Sequence, residues 1–213
     1  VFFLVADMTN PHLTIKTGIG NDSIYIGEPV SKHAQRKSSE GNYYFAGTNG
    51  DFYTTTGDYL NYPTSGSMIQ GQIAKPTVSG RPVFAYDADK VPHIGIMSYS
   101  GQIDFGEEQW PINYVNHLRE TNYLVLYNEY NGKVTRTNQH GTEVLVELLD
   151  GYEWGSNETL KARVLEIEKG VGSMKIPKGK AVLSGHGTGA TNLNKLAVDD
   201  VVDIKFSLSL KGN

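Results

Sequence analysis

The tetrapeptide Asn49-Gly50-Asp51-Phe52 gathers residue types suited to chemistry on a polar substrate. Asn49 offers both a donor and an acceptor to a sugar hydroxyl or a phosphate oxygen. Gly50 permits turn conformations closed to residues with a Cβ. Asp51 can accept from hydroxyls, hold a cation or act as an acid or base. The same residues also suit an Asx-turn, in which Asn49 and Asp51 bond nearby backbone. A second candidate is the run SGHGTGA at 184–190. A Gly-rich turn ahead of a short helix, here around His186 and Gly187, can present backbone N–H groups to an anion. It also reads as a tight strand-to-helix turn. It is not a Walker loop, because the Lys-Ser/Thr pair is missing.

Other constellations are weaker. His12, His33, His93, His117, His140 and His186 are scattered without the His-x-x-x-His spacing of a zinc site. Asp104, Glu107 and Glu108 can meet calcium but lack an EF-hand pattern, and equally form a solvated turn. Tyr114, Tyr123, Tyr127 and Tyr130 suit either a sugar-stacking face or cross-strand pairs. No Gly-x-Ser-x-Gly elbow occurs, so no serine triad is assigned. With no Cys, disulfides, zinc-thiolate sites and thiol nucleophiles are excluded. Neither a metal nor another cofactor is expected.

These residues need elements to hold them. An apolar run gives a buried strand at 1–6, alternation a second at 13–17, and a hydrophobic segment a third at 43–47, running straight into Thr48-Asn49. A short helix is expected at 29–40, with Pro29 at its start. Residues 51–67 read as a long irregular loop. Strands follow at 82–86 and 93–99. Three longer alternating strands fall between 109 and 149, and others at 160–168, 180–184 and 201–210. A short helix is expected at 191–196. The expectation is an α+β fold: a β-rich mixed sheet with few short helices and an inserted antiparallel β segment at about 100–180, all within a single domain over 1–213.

The segments in order bear a resemblance. The stretch 31–59, SKHAQRKSSEGNYYFAGTNGDFYTTTGDY, resembles the opening signature of the phosphodiester glycosidase family. That family includes the N-acetylglucosamine-1-phosphodiester α-N-acetylglucosaminidases, the mannose 6-phosphate uncovering enzymes, and bacterial exopolysaccharide-associated members. GSMIQG at 66–71, led by Gly66, is similar to the family's Gly-rich segment. VADMTNPHLTI resembles its first hairpin, with Asp7 and Pro11 in place. AVLSGHGTGATNLNKLAVDDVVDI at 181–204 resembles the segment closing the family's N-terminal half. The resemblance implies a glycosidase cleaving a sugar-1-phosphodiester or an exopolysaccharide glycan. Asn49 and Asp51 would be catalytic, and Gly50, Phe52, Gly66, His186 and Gly187 would bind substrate. The family's later Arg-containing strand and Asn-Leu-Asp-Gly-Gly-Gly-Ser loop do not occur in these residues, so the missing C-terminal half of the same domain is an expected partner.

Composition sets the outer limits. A chain of 213 residues with 38% hydrophobic residues can bury a core without staples. The 24 Gly and 13 Tyr favour turns and half-buried rings, hence strands. A net charge of −4 with no Lys/Arg block excludes a nucleic-acid footprint. No apolar run reaches about 18 residues, so no membrane-spanning helix is expected. VFFLVADM has no basic n-region or cleavage site, and reads as a strand entered midway, with something upstream removed. Export to the periplasm or cell surface is the expected location. The alternative function is a non-catalytic glycan-binding or surface-polysaccharide assembly module.

Overall fold

The computed structural model describes residues 3–77 and 80–211. Its fold is β-rich, with 37% strand against 11% helix, so sheet geometry positions everything else. Residues 3–66 hold one helix, α1 (Val30–Lys37), two 3-10 turns and otherwise irregular chain. A small antiparallel hairpin follows, β1 (Ser67–Ile69) and β2 (Gln72–Lys75). Then come β3 (Pro82–Tyr86), β4 (Pro92–Phe105), β5 (Glu108–Ile112), β6 (Tyr114–Val115), β7 (Leu124–Tyr127), β8 (Thr142–Leu148), β9 (Thr159–Lys169) and β10 (Ala181–Gly185). Helix α2 (Thr188–Leu193) and β11 (Val201–Lys211) complete the order.

The large sheet runs β3-β4-β11-β9-β8-β10-β7-β6, with β5 paired to β4. Among the described residues its ladders are antiparallel except β6 on β7. Only Asn113 separates β5 from β6. Its N–H donates to Leu124 O at 2.8 Å. Its side-chain Oδ1 accepts from Leu124 N–H at 2.8 Å. The strand that starts on β4 therefore finishes on β7, and the sheet curls closed on itself.

Alternation explains what fills the enclosure. Along β11, Val202, Ile204 and Phe206 are 0, 0 and 4% exposed, whereas Val201 is 43% exposed. In β9, Leu160, Ala162 and Val164 point inward, one residue in two. Strands β7 and β10 are buried on both faces. Leu124, Leu126, Ala181 and Leu183 enter the main core, while Val125, Tyr127 and Val182 meet Met174 and Ile176 in a second one. A third cluster, Ile24, Tyr62, Ala74 and Tyr130, ties the N-terminal region to the sheet.

Three expected strands differ. Residues 3–6, 13–17 and 43–47 are not strands, and residues 1–2 lie outside the described residues. The apolar runs and the alternation at 13–17 are present, but among the described residues no neighbouring strand supplies a ladder. Tyr44 does turn inward, its ring 6.3 Å from that of His33. Tyr43 and Phe45 remain 70 and 76% exposed. The expected helix at 29–40 is shorter, with Pro29 as its N-cap and Ser38 ending it through a bond to Ala34 O. The second helix begins three residues early, at Thr188.

The inward alternation of β11 is directly testable. Ile204→Ala is expected to cost about 2–5 kcal/mol in urea unfolding. Val201→Ala, three residues away on the outer face, should change stability by less than about 0.5 kcal/mol. Equal effects would contradict the register.

Candidate functional site

The loop carrying Asp51 is closed like a hairpin at its neck. Tyr53 bridges Pro63, and Thr64 N–H donates to Phe52 O at 2.9 Å. Both oxygens of Asp51 are then used. Oδ1 accepts from Phe52 N–H at 2.8 Å and Oδ2 from Ser65 N–H at 2.7 Å. The Asx-turn expected as an alternative is thus present in part. The carboxylate nonetheless stays exposed, with lone pairs left for a ligand.

Beneath this neck lies Lys75, at 1% exposure. Its Nζ donates to Thr64 O at 3.0 Å and Ser65 O at 3.2 Å, and stands 5.0 Å over the Tyr62 ring. Among the described residues no carboxylate comes within ion-pair reach of it. Burial disfavours its charged form and pulls its pKa down to about 8, partly opposed by Asp51. Three N–H donors serve two carbonyls, so one remains unspent.

Two buried asparagines bolt this assembly to the closed sheet. Asn116 Nδ2 donates to Ala74 O at 2.8 Å and to Asn128 Oδ1 at 2.6 Å. Asn128 Nδ2 donates to Ile73 O at 2.9 Å. Tyr62 completes the tie by donating its hydroxyl proton to Asn116 O at 3.1 Å. Its phenol is pushed up by burial. The His117 ring lies 6.0 Å from Tyr62, and burial, reinforced by Lys75, holds its pKa below the ordinary value.

Each expected site residue has a place. Asn49, Gly50 and Phe52 lie with Asp51 on the exposed loop, and a Cβ on Gly50 would meet nothing within 4 Å. Gly66 follows Ser65 directly, where a Cβ would press on Met97 and Thr77. His186 and Gly187 are elsewhere. Gly185 pairs with Leu124 at the start of β7, whereas Asn116 and Asn128 mark its other end. There the glycines serve packing. A Cβ on Gly189 would sit 2.3 Å from Tyr123 O, and one on Gly187 2.2 Å from Asn122 Oδ1. Asn122 also accepts from Thr188 N–H at 3.1 Å, which occupies one of the amides an anion would need.

Asp7 accepts from the N–H and hydroxyl of Thr9, in a turn of its own. Asp104 and Glu108 are ion-paired to Lys205 and Lys195. Of the four tyrosines, Tyr127 and Tyr130 are buried and Tyr114 packs on Tyr123 at 5.6 Å, as cross-strand partners do. Lys75 is the member that sequence reasoning missed. The available signal was a lone Lys in a short apolar strand, QIAK, ahead of Pro76.

No family model matches this sequence, and no curated protein is significantly similar to it. Solved structures do share the fold. A "putative exported protein" from Burkholderia pseudomallei K96243 matches with a TM-score of 0.54 and 15% identity, over 77% of this chain and 38% of that one. A hypothetical protein from Synechocystis matches at 0.51 and 16% identity, over 76% of this chain and 28% of that one. The chain thus spans about a third of the length of these structures, and at such identities they define a shared fold.

Lys75 makes the stability pH-dependent with a definite sign. Between about pH 8 and the ordinary lysine value of 10.5, the unfolded chain keeps a proton that the folded chain has released. Stability from this group therefore rises with pH across that window. In urea unfolding, wild type should gain on Lys75→Met between about pH 7 and about pH 10. A constant difference would contradict a buried, titrating Lys75.

Proposed function

We propose that this chain is part of an exported hydrolase resembling the phosphodiester glycosidases, acting on a sugar-1-phosphodiester or an exopolysaccharide glycan. The observation that carries the reading is the pairing of the exposed Asp51 carboxylate, fixed through both oxygens, with an unneutralised lysine beneath it.

The chemistry asks for that combination. Cleavage at the sugar carbon builds oxocarbenium character, which a nearby carboxylate stabilises. A departing phosphate needs little proton donation but gains from cations and N–H groups. Asp51 faces the sugar carbon, the bond to the phosphate oxygen breaks with its electron pair leaving on phosphate, and water supplies the hydroxyl group and gives up its proton to the departing phosphate. Asn49 hydrogen-bonds sugar hydroxyls and Phe52, at 76% exposure, offers a ring to the sugar face. Lys75 positions the loop through Ser65 and adds positive potential below the leaving group.

The exposed apolar side chains Phe3, Leu4, Val5, Tyr43, Phe45 and Phe52 support a second element of the proposal. Large apolar side chains left this exposed suit an interaction face. Its occupant is the missing C-terminal half of the same domain, in keeping with the greater length of the fold's solved relatives. The exported location rests on the description of the Burkholderia protein.

The test is release of free sugar from a sugar-1-phosphodiester by the polypeptide at its full natural length. Asp51→Ala is expected to lower kcat by about 100-fold or more. Lys75→Met should lower it less, with partial rescue by Lys75→Arg. Unchanged turnover in both Asn49→Ala and Asp51→Ala would remove the site assignment.

A further inference from the structure

An open groove of about 420 Å³ lies away from the Asp51 loop, between the end of β8, the turn before β9 and the turn before β10. Its volume is within the range of about 300–1,000 Å³ typical of ligand sites. Tyr152 and Trp154 line it, both half-buried and packed against the main core. Trp154 is further fixed by donating its indole N–H to Gly179 O at 2.9 Å. Rings held in this way lose little freedom when a ligand arrives. Their combination of apolar face and polar edge suits the faces and hydroxyls of a sugar.

The polar lining defines the ligand further. Two glutamates, Glu147 and Glu153, stand against two lysines, Lys178 and Lys180, so the groove carries no net charge. Lys180 and Glu147 are ion-paired to one another. Glu153 and Lys178 make no hydrogen bond or ion pair among the described residues, leaving one acceptor group and one donor group unspent. Hydroxyls, which donate and accept together, satisfy both; an acidic ligand would meet Glu153 unfavourably. Gln72 of β2 closes the groove on one side. Three residues along the same strand is Lys75, about 10 Å away.

We propose that this groove is a binding subsite for an uncharged oligosaccharide, holding the glycan part of a ligand rather than its phosphate. The subsite takes from the glycosidase reading only the class of ligand, and the experiment separates the two. Trp154 is a built-in reporter, because the other tryptophan, Trp110, is 2% exposed in the core. Its fluorescence would be followed while adding malto-, manno- and chito-oligosaccharides, and polygalacturonate as an acidic control. A saturable change with at least one neutral probe, and none with polygalacturonate, is expected. Tyr152→Ala should weaken it about tenfold. The double variant Glu153→Ala/Lys178→Ala, which disturbs no packed residue, should weaken it similarly. Asp51→Ala should leave binding unchanged, whether or not turnover is lost. No saturable response to any neutral probe, binding retained by both groove variants, or a response confined to polygalacturonate would overturn the proposal.

Discussion

The change of neighbour at Asn113 is the constraint on which the structure depends. A strand hydrogen-bonded to β4 over Glu108–Ile112 must let go and bond β7 within one residue. Asn113 makes this feasible because its side chain stands in for the missing backbone acceptor, taking the Leu124 N–H while its own N–H meets Leu124 O. Without that substitution the Leu124 amide would be buried unpaired, at a cost of about 1–3 kcal/mol. Closure then buries one face of seven ladders in a single core, and leaves Asn116 at a fixed point of the rim with φ of 50°. From there the two asparagines hold β2, β2 holds Lys75, and Lys75 holds the neck of the Asp51 loop.

The two ends of the closed sheet use buried polar groups differently. Near the start of β7, Arg119 is 7% exposed yet bonded to Ser184 Oγ and to both Asn138 oxygens, backbone and side chain. Glu143, 1% exposed, accepts from Thr137 and from Met174 N–H. Both of these charged groups are engaged by fixed partners, as a network that specifies a fold must be. At the opposite end Lys75 likewise has only uncharged oxygen partners, Thr64 O and Ser65 O, beside the Tyr62 ring, and there the buried charge holds a loop rather than the sheet.

Much of the β-rich fold was legible because its strands alternate strongly. VVDIKFSLSL puts Val202, Ile204 and Phe206 inside, as a period of two requires. PVFAY and HIGIMSY also form β3 and β4, although Phe84, Ile94 and Ile96 lie on an exposed face. The first 50 residues show the limit of that signal. LTIKT at 13–17 alternates as a strand does, yet alternation states only which face is apolar, and a strand also needs a neighbour to bond. For the site, Asn49 to Phe52 were identifiable by residue type, and Gly66 falls beside them. His186 and Gly187 were grouped with them by a Gly-rich pattern, in which Gly187 closely approaches Asn122 and Gly189 approaches Tyr123. Lys75 was missed because its one local signal, a lone Lys in the short strand QIAK, equally fits the solvated lysine that such a position normally holds.

The burial of Lys75 also bears on why a carboxylate does not neutralise it. An ion pair with Asp51 would cancel both charges and draw the carboxylate inward, out of reach of any ligand. Instead the Thr64–Ser65 peptide stands between them: its carbonyl, Thr64 O, accepts from Lys75 and its N–H, that of Ser65, donates to Asp51. A peptide group bonded at both ends transmits polarisation from cation to anion while keeping them apart. The lysine is thereby held at an energetic disadvantage, visible in its pKa near 8, that any anion bound at the neck would relieve. Under the proposed function, the second negative charge that a phosphodiester gains on leaving would be stabilised more than the single charge it carries while esterified. Under that function the loop would respond to charge that develops during reaction, and the proposed subsite at the far end of β2 would recognise the sugar.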